Sequence, residues 1–396
     1  MNILFFTEDE INPTIGGIER VTSILSKTFT EVYHANVFSL FLNPVTDPSN
    51  DLFIRKMCWN NVRDVRTFIE VNEIDIIVCQ RQIPEIEILR NLLHERRDKC
   101  VFINVFHNMP GYEITTWRYL IYYMHYTNLK GKIKSIIKLL FYPLYKSYLL
   151  KKASKVMRMA DSSSDISILL SSRYEKLYKN IYGISKTASC CAINNPLSYS
   201  NFFQMTEYSL KRHILLVVSR LDERQKRLSL LLKIWGRIQN ETNDWQLIIV
   251  GDGEDKGIYE SIIQKKHLKN VTIMGKKAPL PFYREASLFA MTSVVEGWGM
   301  TLLEAMQCGV VPVVMDTFGA VHDIIDDGEN GILIPDRNLD KYAEVLLSLM
   351  KDESERKRLA GNAIEKVRCF SPNMIAGQWM KLFTDLLEQK IKLSNV

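Results

Sequence analysis

The sequence predicts an α/β protein built from two doubly wound domains in tandem. Its 396 residues exceed one ordinary core and suit two domains of roughly 200 residues each. Short apolar runs alternate with longer stretches of helical periodicity from end to end. Several of those runs are nearly unbroken Val, Ile and Leu, the pattern of parallel strands covered by helices on both faces.

The candidate strands of the first half are 2–7, 35–41, 74–79, 101–106, 155–160 and 189–193. Those of the second half are 213–219, 245–250, 270–274, 287–292, 310–315 and 331–334. After Asn194-Asn195-Pro196 an apolar run ends in turn chemistry and a polar stretch follows. This divides the chain into an N-terminal domain, 1–196, and a C-terminal domain, 197–371. The remaining segment, 372–396, opens on Ser371-Pro372, an N-cap followed by proline at the first helical position. Ile375, Trp379, Phe383, Leu386 and Leu387 then form one apolar stripe, which docks on the second domain or crosses back to the first.

Composition narrows the class. Hydrophobic residues at 46% and charged residues at 24% are those of a soluble globular protein. The cysteine count is odd, at seven, and no C-x-x-C occurs, which points to reduced cytosolic thiols and away from a disulfide framework or zinc site. The apolar start, Ile3 to Phe6, meets Glu8, Asp9 and Glu10 at once, unlike a signal peptide. No apolar run approaches the ~18 residues of a membrane span. A cytoplasmic protein, soluble or peripheral to the inner face of the membrane, is expected.

The net charge of +6 is small but concentrated. From Ile114 to Ala160 there is no Asp or Glu, against ten cations: Arg118, Lys130, Lys132, Lys134, Lys138, Lys146, Lys151, Lys152, Lys155 and Arg158. Trp117, Tyr119, Tyr122, Tyr123, Tyr126, Phe141, Tyr142, Tyr145 and Tyr148 are interleaved. Ile133, Ile136, Ile137, Leu140 and Leu144 share one helical face and Lys130, Lys134 and Lys138 another, with a break expected at Pro143. Such a segment suits an anionic membrane surface. The plainer alternative is a hairpin packing its apolar side on its own domain. No nucleic-acid module is recognisable.

The chemistry concentrates in Ser293-Val-Val-Glu296-Gly-Trp-Gly-Met-Thr-Leu-Leu-Glu304. Gly297 and Gly299 offer bare backbone amides after a strand, and a helix starts near Thr301. A helix N-terminus of this kind cradles phosphate, because unpaired amides and the helix dipole both face the anion. Glu296 and Glu304 flank that cradle. Thr301-x-x-Glu304 also fits a helix capping box that needs no ligand.

The run E-G-W-G-M-T-L-L-E-A-M-Q-C-G-V-V-P-V resembles the E-x7-E signature of retaining family 4 glycosyltransferases of the GT-B fold. Three further segments match in order. Gly16-Gly17-Ile18-Glu19-Arg20 resembles that family's glycine-rich first loop. Ser219-Arg220-Leu221 with Lys226 resembles its phosphate-binding arginine and lysine, and Val250-Gly251-Asp252-Gly253 resembles its G-x-G turn. The match spans most of the second half and the first half more thinly.

The resemblance implies two Rossmann-like doubly wound domains facing a central cleft, a nucleotide-sugar donor (UDP-linked) in the C-terminal domain, and a glycan or lipid-linked oligosaccharide acceptor against the N-terminal one. It implies that Arg220, Lys226, Gly16, Gly17, Gly297, Gly299, Met300 and Thr301 meet the donor diphosphate, and that Glu304 binds the ribose. Glu296 and His107 would meet the transferred hexose or N-acetylhexosamine, His107 standing at the C-terminal end of the 101–106 strand, where ligands of doubly wound sheets bind. No cofactor and no metal is expected, since the chain contains neither D-x-D nor a zinc-spaced cluster. The role implied is extension of a surface polysaccharide or lipopolysaccharide. The chain departs from the family after the 310–315 strand, where Gly319-Ala320-Val321-His322-Asp323 replaces the usual glycine pair and glutamate. Two rival readings are a nucleotide-sugar epimerase on the same architecture and a catalytically silent scaffold at the membrane surface.

Overall fold

The computed structural model describes residues 1–14, 16–45, 52–93, 100–114, 117–124 and 129–394; Tyr126 and the side chains of Arg118 and Tyr122 lie outside the described residues. The first sheet holds β1 (Asn2–Asp9), β2 (Asn36–Asn43), β3 (Arg55–Cys58), β4 (Ile76–Cys79), β5 (Val101–Phe106), β6 (Ile166–Leu169) and β7 (Cys190–Ala192), in the order β3-β2-β1-β4-β5-β6-β7. All its pairings are parallel, with Leu4 opposite Ile77 and Val78 opposite Ile103. The second holds β8 (Arg212–Val218), β9 (Gln246–Val250), β10 (Val271–Gly275), β11 (Ala286–Met291), β12 (Val311–Asp316) and β13 (Ile332–Pro335), ordered β10-β9-β8-β11-β12-β13 and again parallel. β4, β5 and β11 are buried along their whole length, as sheets covered on both faces require.

Three strand assignments differ from expectation. Residues 155–160 lie inside the helix Tyr142–Ser162, which buries Ala153, Met157 and Ala160, spaced as one helical face. β3 and β6 escape the sequence because neither is an unbroken apolar run; β3 begins with Arg55 and Lys56, while β6 carries Ser167 and follows a polar serine-rich turn.

The chain divides into two compact units. One comprises Met1–Glu113, Ser147–Ser198 and Cys369–Val396, the other Ile114–Lys146 and Tyr199–Arg368. The basic segment 114–160, expected wholly within the N-terminal domain, is therefore shared, its larger part going with the second unit. The segment forms the helices Trp117–Met124 and Leu129–Leu140 and most of Tyr142–Ser162, with the break at Phe141, just before Pro143. The terminal helix Pro372–Ser394 belongs to the first unit: Phe383 meets the edge of Phe29 at 5.7 Å, and Lys390 donates to Asp165 and to the Cys100 carbonyl, each at 2.9 Å. All seven cysteines are free thiols.

Candidate active site

In each sheet the strand order reverses once, between β1 and β4 in the first and between β8 and β11 in the second. Loops leaving the C-terminal ends of such strands diverge and open a crevice, the usual ligand site of a doubly wound sheet. In each unit the predicted residues stand at or just beyond those strand ends. Gly16 follows β1, Arg220 and Lys226 follow β8, and Glu296 follows β11. His107 ends β5, the neighbour of β4.

In the second unit two loops are sewn together. Asp222 caps the short helix Glu223–Lys226 by accepting from the amides of Arg224 and Gln225. The Gln225 carbonyl accepts from the Val294 amide at 2.8 Å, and its side-chain amide donates to the Val295 carbonyl at 3.2 Å. Thr292 Oγ1 donates to the Lys226 carbonyl at 3.0 Å. Arg227 is 5% exposed, with φ of 51°. It donates to the Thr292 and Ser293 carbonyls at 2.9 and 3.1 Å and pairs with Asp336 at 2.9 Å. A guanidinium's fork of donors suits it to this stapling role.

This stitching delivers Lys226 to Glu296. Nζ lies 2.5 Å from Oε1, and both side chains are nearly buried, at 14% and 10% exposure. Ser219, Lys226, Glu296 and Thr301 line a space of only about 10 Å³, room for a single water. Arg220 stands outside, 65% exposed, held by Gln225 at 2.9 Å.

Glycines 251 and 253 serve this loop. Ser219 N donates to the Val250 carbonyl and Leu221 N to the Asp252 carbonyl, at 3.0 and 2.9 Å. A Cβ on Gly251 would overlap the Ser219 carbonyl oxygen, and one on Gly253 the Leu221 carbonyl oxygen. Gly251 also has φ of 147°. The G-x-G turn is thus a backbone seat for the loop bearing Arg220, with no side chain to spare.

The helix Met300–Gln307 starts one residue earlier than expected. Its N-cap is Gly299, left-handed at φ 98° and without a side-chain cap, and Gly297 lies in the bend before it. Thr301 is therefore the second helical residue, so Thr301 and Glu304 form no capping box. By helix geometry the Met300 and Thr301 amides have no carbonyl partner within the helix. Glu304 faces inward at 0% exposure, and its Oε2 accepts from Tyr283 Oη at 3.1 Å. The same hydroxyl lies 3.2 Å from the Thr301 carbonyl. Tyr283, fully buried in the helix Leu280–Glu285, carried no signal in the sequence. Its phenol is held well above the ordinary range by burial and by the Glu304 carboxylate.

In the first unit, Gly16 caps the helix Gly17–Tyr33 with extended backbone, and the Glu19 carboxylate lies against it. His107 Nε2 is 2.5 Å from Gln80 Oε1. An amide oxygen only accepts, so the ring donates from Nε2. Burial, with the Arg81 guanidinium beside it, lowers the His107 pKa to about 3, leaving a neutral imidazole. Both line a cavity of about 590 Å³ with Glu8, Arg81, Glu113 and the Tyr142–Ser162 helix.

The chain is similar in sequence and fold to glycosyltransferases. Residues 200–366 match the family described as "Glycosyl transferases group 1". Over 276 residues the chain is 26% identical to the poly(glycerol-phosphate) alpha-glucosyltransferase of Bacillus subtilis, covering 69% of this chain and 38% of that protein. It is 24% identical over 214 residues to a Campylobacter jejuni alpha-1,4-N-acetyl-D-galactosaminyltransferase whose name specifies a GalNAc-containing, undecaprenol-diphosphate-linked glycan, covering 54% of this chain and 57% of that one. The matches thus span about half, or less, of those relatives' length. Among solved structures, Anabaena Alr3699/HepE in complex with UDP and glucose superposes with a TM-score of 0.69 at 16% identity, covering 96% of this chain and 99% of that one. The fold is that of the GT-B glycosyltransferases. Within it, residues 200–366 of the second unit are similar to the group 1 glycosyl transferases.

Proposed function

We propose that this protein is a retaining, metal-independent glycosyltransferase that moves a hexose or N-acetylhexosamine from a UDP-linked donor to a glycan or lipid-linked oligosaccharide in surface polysaccharide synthesis. The observation that carries the reading is the Lys226–Glu296 pair at the β8/β11 switch point. An arriving diphosphate competes for Lys226, and the exposed Arg220 joins it there. Glu296, released from the lysine, is then placed to accept hydrogen bonds from sugar hydroxyls. The amides at the start of Met300–Gln307 face the same anion, so positive charge for the leaving group comes from side chains and backbone without a metal. Glu304 holds the ribose once its buried carboxylate is uncovered.

His107, neutral and donating from Nε2, is a hydrogen-bonding partner for the transferred sugar and no general acid at neutral pH. With no nucleophile assigned, a leaving phosphate oxygen takes the acceptor proton while the acceptor attacks from the same face, so the anomeric configuration is kept. The two relatives' names both specify alpha products. The test is transfer from a panel of UDP-sugars in EDTA, with the product anomer read by NMR. An α-linked product from an α-linked donor is expected; a β product or a need for divalent cation overturns the mechanism.

The acceptor is met at an anionic membrane surface. The helix Leu129–Leu140 buries Ser135 and turns outward Leu129, Ile133, Ile136, Ile137 and Leu140, each 47% to 73% exposed. Phe141, Leu144 and Tyr148 extend that exposed set. An apolar stripe packed on its own domain would be buried; this one is flanked by Lys130, Lys134 and Lys138 and suits a lipid interface. Among the described residues no helix is long and apolar enough to cross a membrane. Co-sedimentation with phosphatidylglycerol vesicles is expected, and Ile133→Ser with Ile137→Ser and Leu140→Ser should abolish it. Unchanged binding by that variant rules this surface out.

A further inference from the structure

We propose that Lys211 is a positioning residue that holds Glu304 in place for the ribose. This rests on the donor reading above. Lys211 stands just before β8, at the opposite end of that strand from Arg220 and Lys226. Its amine turns inward. Nζ donates to the Cys308 carbonyl at 2.6 Å and to the Tyr283 carbonyl at 3.0 Å. Cys308 caps the C-terminus of the helix Met300–Gln307, and Tyr283 lies in the last turn of Leu280–Glu285. Both are carbonyls that their own helices leave without an amide partner. A cation is favoured at the end of Met300–Gln307, where the helix dipole turns its negative pole.

The two helices that Lys211 joins are the two that fix Glu304. Tyr283 Oη donates to Glu304 Oε2 at 3.1 Å, and the Cys308 amide donates to the Glu304 carbonyl at 3.2 Å. The grip is closed by Phe203, whose ring centroid lies 4.3 Å from Nζ. The Phe203 amide donates to the Gln307 carbonyl at 3.1 Å. A Cβ on Gly309, left-handed at φ 65°, would meet the same ring at 2.9 Å. Burial lowers the Lys211 pKa to about 7, so the ammonium form holds these carbonyls below that value. Arg220 and Lys226 reach the diphosphate from another loop, so loss of Lys211 falls chiefly on the ribose contact.

The test is calorimetric titration of the full chain at pH 6 with UDP and with 2′,3′-dideoxyuridine diphosphate, which lacks both ribose hydroxyls. Wild type should prefer UDP by about tenfold or more, as hydrogen bonds to a charged group imply. Lys211→Met, close in length but without charge or donors, should cut that preference to about threefold or less and leave affinity for the dideoxy compound within about threefold. Glu304→Ala should abolish the preference, and adding Lys211→Met to it should change the ratio no further. A protein merely loosened would lose affinity for both nucleotides alike. If Lys211→Met does not fold by circular dichroism, Lys211→Gln, which keeps one donating amide, is read the same way and should cut the preference about twofold or more. An undiminished preference in the folded Lys211 variant, or equal losses on both nucleotides, overturns the role of Lys211 alone. A wild type that binds both nucleotides equally, or neither, brings down the ribose reading of Glu304 and this proposal with it.

Discussion

Removing either member of the Lys226–Glu296 pair should cost far more than removing both. At 2.5 Å the gross attraction is about 7 kcal/mol with an effective dielectric near 20. Desolvation of two nearly buried ions offsets much of it. A net coupling of about 2–4 kcal/mol is expected, above the ~1 kcal/mol ceiling typical of exposed pairs. Lys226→Met strands a carboxylate against the Thr292–Glu296 loop, and Glu296→Gln strands an ammonium, each destabilising by about 3–5 kcal/mol. The double variant restores a neutral site and should recover most of that loss. Urea unfolding of the four proteins, followed by tryptophan fluorescence, closes the cycle. Strict additivity, with coupling below about 0.5 kcal/mol, would refute the reading of this pair as one desolvated unit.

Further outcomes follow from other contacts. Gly251→Ala should destabilise the second unit by about 3 kcal/mol or more in thermal unfolding, since its Cβ meets the Ser219 carbonyl, whereas Gly257→Ala, with open space around it in a helix, should be neutral or stabilising by up to about 1 kcal/mol. Tyr283→Phe removes the hydroxyl from Glu304 and should cost about 2 kcal/mol in urea unfolding; a change below about 0.5 kcal/mol would mean that the bond adds nothing. His107 should keep a neutral-ring ¹⁵N signature from pH 8 to pH 5 in NMR. Because its folded pKa lies near 3, below the unfolded value of about 6.5, its contribution to stability is present above pH 6.5 and lost as pH falls towards 3. A titration near 6.5 in the folded protein would contradict the burial.

The second sheet was legible almost strand for strand because each of its strands is an apolar run closed by turn residues. In the first half, 155–160 misled because Val156, Met157 and Ala160 make an apolar run without stating its period, and only the helix around them settles it. The alternative of a capping box fails for another reason. Gly299 adopts the left-handed cap itself, which moves Thr301 two places into the helix, and no composition rule foretells that choice. Lys226 and Glu296 lie far apart in sequence, and in the sequence only the resemblance to a family links them. Tyr283 and Gln80 could not be found at all, since a tyrosine or glutamine in an ordinary run carries no mark of the residue it will face. The G-x-G turn was read as a motif, and its cause, two carbonyl oxygens where side chains would stand, became visible only in the fold.

The central claim is that the β8/β11 switch point binds a nucleotide diphosphate through Arg220 and Lys226. Titration of UDP into the full chain in EDTA, with wild type, Arg220→Ala and the Lys226→Met/Glu296→Gln double variant, tests it most directly. The account predicts metal-free binding by the wild type and at least a tenfold loss in each variant, with folding intact by circular dichroism. Undiminished UDP affinity in both folded variants would contradict it.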